Sequence, residues 1–185
     1  MSTAGLLLAA GAGRRMGGPK ALLRDGRGVP FLDRAVGTLL ARLESAGPGV
    51  ARALEIEEGD RVVHWQRLRL ADGIPMCIED AYLADSIVPR FLDQNLPESL
   101  YAELQRRDLL PTWGEDSIES ARASADEAVL LDVAEGDPVL RIARRAFAGN
   151  VAVEVSRSTY RADRFTLWVP LSRPGEVSTE PAAPE

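Results

Sequence analysis

The chain has 185 residues, 45% hydrophobic and 27% charged, with a net charge of −6, the size and balance of one soluble domain or of one domain plus a fragment. That acidic balance argues against the whole chain as a duplex-DNA binder, which needs a clustered positive face. One cysteine, Cys77, and one histidine, His64, leave no material for an internal disulfide, a Cys- or His-rich metal site or a Ser-His-Asp triad, and no cofactor is implied.

In chain order, residues 4–10 form a short apolar run that reads as a buried parallel-type strand. No positive region precedes it and it is too short to span a bilayer, so neither a signal peptide nor a membrane segment is read, and a bacterial cytoplasm fits. Residues 11–19 are a glycine-rich loop. Phe31, Leu32, Ala35, Val36, Leu39, Leu40 and Leu43 fall at helical spacing and predict a helix over 31–43. The Gly and Pro of 44–49 break the pattern, so a junction is placed at 46–50 between a front unit, 1–45, and a second unit, 51–171.

Beyond the junction, 50–54 reads as a short helix and 61–71 as a strand. Asp72-Gly73 is a hairpin turn, and 74–83 is the returning strand with Pro75 at its tolerated start. Residues 87–92 and 99–107 read as helices, the second capped by Ser99. Then come a strand at 116–124, a short helix at 126–131, and strands at 139–147, 151–160 and 165–171. The tail, 172–185, is polar and Pro-containing and reads as disordered.

The front segment is Leu8-Ala9-Ala10-Gly11-Ala12-Gly13-Arg14-Arg15-Met16-Gly17-Gly18-Pro19-Lys20. A strand feeding a loop with many backbone N–H groups and few Cβ atoms can wrap phosphate oxygens, and Arg14, Arg15 and Lys20 add positive charge. The bland alternative is a strand-loop-helix remnant without activity. The segment resembles the start of MobA-like nucleotidyltransferases, through to about Leu43. That resemblance implies nucleotide contacts at Gly11, Gly13, Arg14, Gly17 and Lys20. It stops after one strand and one helix, which cannot bury both faces of the strand. An NTP-binding protein inactive through truncation is therefore the alternative reading.

In the second unit, Arg67 and Arg69 alternate with Leu68 and Leu70, which puts both guanidinium groups on one strand face. Two such forks make an anion clamp, or else a solvated strand face. Glu154 and Tyr160, evenly separated, also share a face, as partners for a polar ligand or as plain surface polarity. Arg161, Asp163 and Arg164 fix a turn by charge pairing. Trp65, Trp113 and Trp168 are assigned to core or cleft wall, Cys77 to the core, and His64 to the strand surface.

The ordered series changes the weight of these readings. Arg67-Leu68-Arg69-Leu70-Ala71-Asp72-Gly73-Ile74-Pro75-Met76 is followed by Glu79 and Tyr82, then by Ser99-Leu100-Tyr101 with Leu104. After them come Gly136, Pro138, Val139 and Leu140, then Val153-Glu154, Tyr160-Arg161 and Asp163-Arg164-Phe165. This resembles the UTRA effector-binding domain of GntR-type transcription regulators of the HutC subfamily. The resemblance implies an α+β fold of chorismate-lyase-like type, an antiparallel sheet with flanking helices, here preceded by the βα fragment. It also implies a homodimer, an effector such as a sugar phosphate or carboxylic acid, and no enzymatic activity. Effector contacts are implied at Arg67, Arg69, Glu79, Ser99, Tyr101, Glu154 and Tyr160. No winged-helix DNA reader is seen before Val50, so direct DNA binding by the chain alone is not expected, nor a membrane partner. The domain's opening strand is expected to be missing, with 4–10 as a partial substitute at the sheet edge.

Overall fold

The computed structural model describes residues 4–7, 35–71, 73–93, 95–97 and 99–168. Gly11, Gly13, Arg14, Gly17, Lys20 and the tail 172–185 lie outside them. A six-stranded sheet dominates, in the order β2-β3-β4-β7-β6-β5, and every neighbouring pair is antiparallel. Its strands are β2 (Ala35–Ser45), β3 (Arg61–Ala71), β4 (Ile74–Ala84), β5 (Trp113–Arg122), β6 (Pro138–Ala148) and β7 (Val151–Arg161). A separate two-stranded parallel sheet joins β1 (Ala4–Leu7) to β8 (Phe165–Trp168). The short helices are α1 (Pro48–Leu54), α2 (Leu100–Arg106) and α3 (Ala125–Leu131). This is the antiparallel α+β architecture that the resemblance implies.

Period-two alternation decides which helix covers which face. Val62, Leu68, Ile78 and Val139 point to one face. There Ala51 and Leu54 of α1 pack on Val62, and Ala128 and Leu131 of α3 pack on Ile78 and Val139. Val63, Trp65, Ala81 and Leu83 point to the other face, under Val88, Phe91 and the α2 residues Leu100 and Leu104. α3 starts at a capping box: Ser124 Oγ accepts from the Glu127 N–H at 3.3 Å, and the Glu127 carboxylate accepts from the Ser124 N–H at 2.8 Å.

Several expectations are corrected. The helix predicted at 31–43 is, from Ala35 on, the strand β2, paired with β3 through two register shifts. A short apolar run does not by itself separate helix from strand, and the open edge of β3 gives the segment a hydrogen-bonding partner that helical spacing cannot register. β2 thereby occupies the sheet edge expected to be bare, and β1 pairs with β8 instead. The expected junction at 46–50 is a packed strand-to-helix turn, with Ala46 buried and its N–H donating to Asp60 O at 2.8 Å. The helix predicted at 87–92 is a series of turns. Pro89 has no N–H and disfavours a helical residue before it, and Arg90 takes a left-handed φ of 60°.

β5 is an edge strand, exposed along nearly its whole length, and it approaches β6 closely at one point. A Cβ on Gly114 would lie 2.7 Å from the backbone oxygen of Arg145. Gly114→Ala is expected to cost about 1–3 kcal/mol through overpacking against immobile backbone. Urea denaturation checks this, and an unchanged midpoint refutes the close approach.

Candidate functional site

The register of the sheet assembles a row of polar side chains on the face covered by α2. Arg67 of β3 stands opposite Glu79 of β4, Glu79 opposite Ser158 of β7, and Ser158 opposite Ile142 of β6. The adjacent row on one side is Arg69, Cys77, Tyr160 and Leu140. On the other it is Trp65, Ala81, Ser156, Arg144 and Asp116.

The two guanidinium forks converge on one carboxylate oxygen. Arg67 Nη2 lies 2.6 Å and Arg69 Nη2 2.7 Å from Glu79 Oε2, and Arg69 Nε donates to that oxygen at 2.8 Å. Arg67 is only 2% exposed, and its guanidinium sits 4.1 Å from the centroid of the Trp65 ring. Its Nε has no hydrogen-bond partner among the described residues.

Burial pushes the Glu79 carboxyl up, but the charges of Arg69 and Arg67 outweigh it and hold the group below its ordinary value. Burial pulls Arg69 down, and Glu79 more than reverses that. Arg67 is lowered by burial, with Glu79 opposing, yet an arginine stays charged at any physiological pH. Burial carries the Cys77 thiol up to about 12 and Tyr160 well above its usual value, so both are neutral donors.

Beside this cluster a pocket opens, with about 280 Å³ of empty space, part of it continuous with solvent. Glu79, Ile142, Arg144, Ser156, Ser158 and Tyr160 line it. Most of that space is open to solvent: the enclosed part is about 30 Å³, room for about one water molecule, so a larger guest must widen it. At its far wall Arg144 is held in a fork-to-fork pair with Asp116 of β5, Nε to Oδ1 and Nη2 to Oδ2 both at 2.7 Å. Arg144 Nη1 reaches the Tyr101 hydroxyl at 3.5 Å, and Tyr101 and Ser156 in turn hydrogen-bond Glu154. Glu154 is buried, which with the charge of Glu79 pushes its carboxyl up against the pull of Arg144, and its Oε2 has no hydrogen-bond partner among the described residues.

The structure therefore brings Arg67, Arg69, Glu79 and Tyr160 together, with Tyr101 and Glu154 one row away. Ser99 is apart from the pocket lining: its Oγ accepts from the Ala102 N–H at 3.3 Å as the N-cap of α2. Arg144, Ser156 and Ser158 were missed in the sequence, although both serines fall at the same even spacing as Glu154 and Tyr160. His64, expected on the strand surface, is 7% exposed, stacked on Tyr82 and 2.8 Å from Asp80. Trp113, expected in the core or cleft wall, is 49% exposed on β5 and stacked on Phe147. Arg161 and Asp163 form the expected turn pair at 3.0 and 2.9 Å. Among the described residues no cluster of His, Cys, Asp and Glu fits a metal, and no helix is long and apolar enough to cross a membrane.

Residues 35–166 match the family model of the UTRA domain, and residues 5–53 match that of the MobA-like NTP transferase domain, so the two overlap over 35–53. A histidine utilization repressor of Pseudomonas aeruginosa is 37% identical over 67% of this chain and 50% of its own length. The HTH-type transcriptional repressor NagR of Bacillus subtilis is 32% identical over 55% of this chain and 42% of its own. The chain thus spans about half the length of the curated relatives it matches. The effector domain of PhnF from Mycobacterium smegmatis superposes with a TM-score of 0.70 at 28% identity, covering 74% of this chain and 85% of that one.

The two buried carboxyls make opposite pH predictions. The depressed Glu79 stabilises the fold above the ordinary carboxylate range and loses that contribution as pH falls through its folded value. The raised Glu154 stabilises the fold below that range and loses its contribution as pH rises. Glu79→Gln is expected to destabilise at neutral pH by about 3–5 kcal/mol, since it strands a buried arginine. Glu154→Gln is expected to stabilise at neutral pH and to converge with wild type in acid. Thermal melts at pH 7 and pH 4 check both signs.

Proposed function

The chain belongs to the UTRA domain family, and from that premise we propose that it is the effector-sensing part of a GntR/HutC-type transcription regulator, taking a small anionic metabolite into the pocket above β4, β6 and β7. The observation that carries this reading is the meeting of Arg67, Arg69, Glu79 and Tyr160 beside a solvent-reaching pocket in the middle of the sheet. Buried charge of this density is costly to keep unless it serves recognition or specificity. In this reading Arg67, Arg69 and Glu79 set the charge of one wall, Tyr160 offers a neutral hydroxyl, and Tyr101 and Glu154 border the opposite side. Ser99 acts by holding α2, and with it Tyr101, in place. The guest is a sugar phosphate or a carboxylic acid.

Such a sensor acts by binding one domain arrangement better than another. We assign it as a homodimer that does not read DNA by itself. The acidic net charge of −6 supports the second point, and the long exposed edge of β5 offers the first an unpaired strand.

The test is a thermal-shift screen of the chain against sugar phosphates and carboxylic metabolites. A true effector at 100 times its Kd adds about 2.7 kcal/mol of apparent stability. For any hit, Tyr160→Phe is expected to weaken binding by about 0.5–1.5 kcal/mol, the loss of one neutral hydrogen bond. A panel in which nothing stabilises the wild type overturns the sensor reading.

A further inference from the structure

Arg144 is the one guanidinium among the residues that line the pocket. Its fork is closed on Asp116, whose side chain is 21% exposed on the outermost strand. The other two guanidinium forks are closed on Glu79, whose side chain is 11% exposed. The two internal carboxylates differ in the cost of their release. Displacing Glu79 leaves a charge stranded in the interior beside two vacated arginines, which is strongly unfavourable. Displacing Asp116 hands a carboxylate at the sheet edge to water, where it is well solvated. An incoming oxyanion meets the smaller barrier at Arg144, and the bidentate geometry that holds Asp116 suits a carboxylate or phosphate equally well.

We propose that Arg144 is the anion anchor of the pocket, that Asp116 occupies its fork as a built-in competitor, and that an oxyanion-bearing effector binds by taking that fork over and so loosens β5 from β6. This rests on the sensor reading and assigns within it the residue that meets the ligand's charge. Asp116 stands opposite Arg144 in the β5–β6 ladder, so the exchange removes one of the side-chain bridges of that pairing and leaves the neighbouring Glu115–Arg145 pair in place. β5 is exposed on both faces apart from Ala121. Besides the ladder it is tied by Trp113 stacked on Phe147, by Glu115 paired with Arg145 and by Arg122 donating to the Gly136 carbonyl. Loss of the Asp116 bridge therefore loosens it locally, around Asp116, rather than along its length. Arrival of the ligand thus reaches a sheet edge without any movement of the buried Arg67–Glu79–Arg69 cluster.

The experiment titrates wild type, Asp116→Asn and Arg144→Gln with inorganic phosphate and, separately, with sodium acetate, by calorimetry. Hydrogen exchange of the β5 amides is measured in parallel. Asp116→Asn is expected to tighten phosphate or acetate by about tenfold, the low end for a charged hydrogen bond partly screened by solvent. Arg144→Gln is expected to abolish the binding, and ligand should speed exchange in β5 of the wild type. The anion giving the larger Asp116→Asn gain separates a phosphate-bearing from a carboxylate-bearing effector. Tightening is a readout that mere structural damage does not produce. Should Arg144→Gln fail to fold, Arg144→Lys keeps the charge without the fork and is expected to bind weakly. Anion affinity that is unchanged in Asp116→Asn, or absent from it, overturns the proposal. The sensor reading fails separately, if no metabolite of the panel stabilises the wild type.

Discussion

Everything on the α2-covered face depends on one carboxylate oxygen shared by two arginines. Glu79 Oε2 receives Arg67 from directly across the β3–β4 ladder and Arg69 from the next position on the same face. Two like charges this close repel, and burial of either alone is unfavourable, so the arrangement holds only because the anion sits between them. The register that puts it there is set by the β3–β4 hairpin, where Gly73 adopts a φ of +77° that a side chain would resist. A one-residue slip would send Glu79 to the opposite face, among the contacts of α1 and α3.

That internal neutralisation changes the meaning of the paired arginines. Read from spacing, Arg67 and Arg69 are an open clamp awaiting a guest. In the folded chain they are a closed one, with Trp65 beneath Arg67 and Glu79 across its mouth. Their positive field still reaches the pocket, but their donors are largely committed. The pocket wall itself is a mixture of hydroxyls, one carboxylate, one guanidinium and the apolar side chain of Ile142, and it favours a ligand that carries several hydrogen-bonding groups about a single charge. The two sheet faces divide the labour: α1 and α3 pack one face with apolar contacts, and the other keeps its polar rows under the small helix α2.

Much of this was legible in the sequence because the informative elements are long alternating strands. The strand read at 61–71 is β3 to the residue, and those read at 139–147 and 151–160 fall one residue inside β6 and β7 at the ends where they differ. Parity within a strand is a local property, so the facing of Arg67 with Arg69 and of Glu154 with Tyr160 came from spacing alone. Register between strands is not local. Nothing in the sequence says that Arg144 stands opposite Asp116, or that Glu79 rather than a ligand fills both forks. The helix misread at 87–92 failed for a visible reason, Pro89, whereas β2 failed for an invisible one. Its leucines keep helical spacing, and only the bare edge of β3 makes it a strand.

β2 also links the front of the chain to the sensing site. Residues 35–53 lie within both family matches, and the structure engages 35–45 in the sheet, with Thr38 opposite Arg67 and Ala35 opposite Arg69. Without β2, β3 would be the edge strand, and water would reach the Arg67 guanidinium from the side. The effective dielectric around Arg67, Arg69 and Glu79 would rise, and the pull that holds Glu79 ionised would weaken. Whatever else the residues before β2 do, the strand they lead into sets the dryness of the charged cluster, and that dryness is what gives a neighbouring anion site its strength.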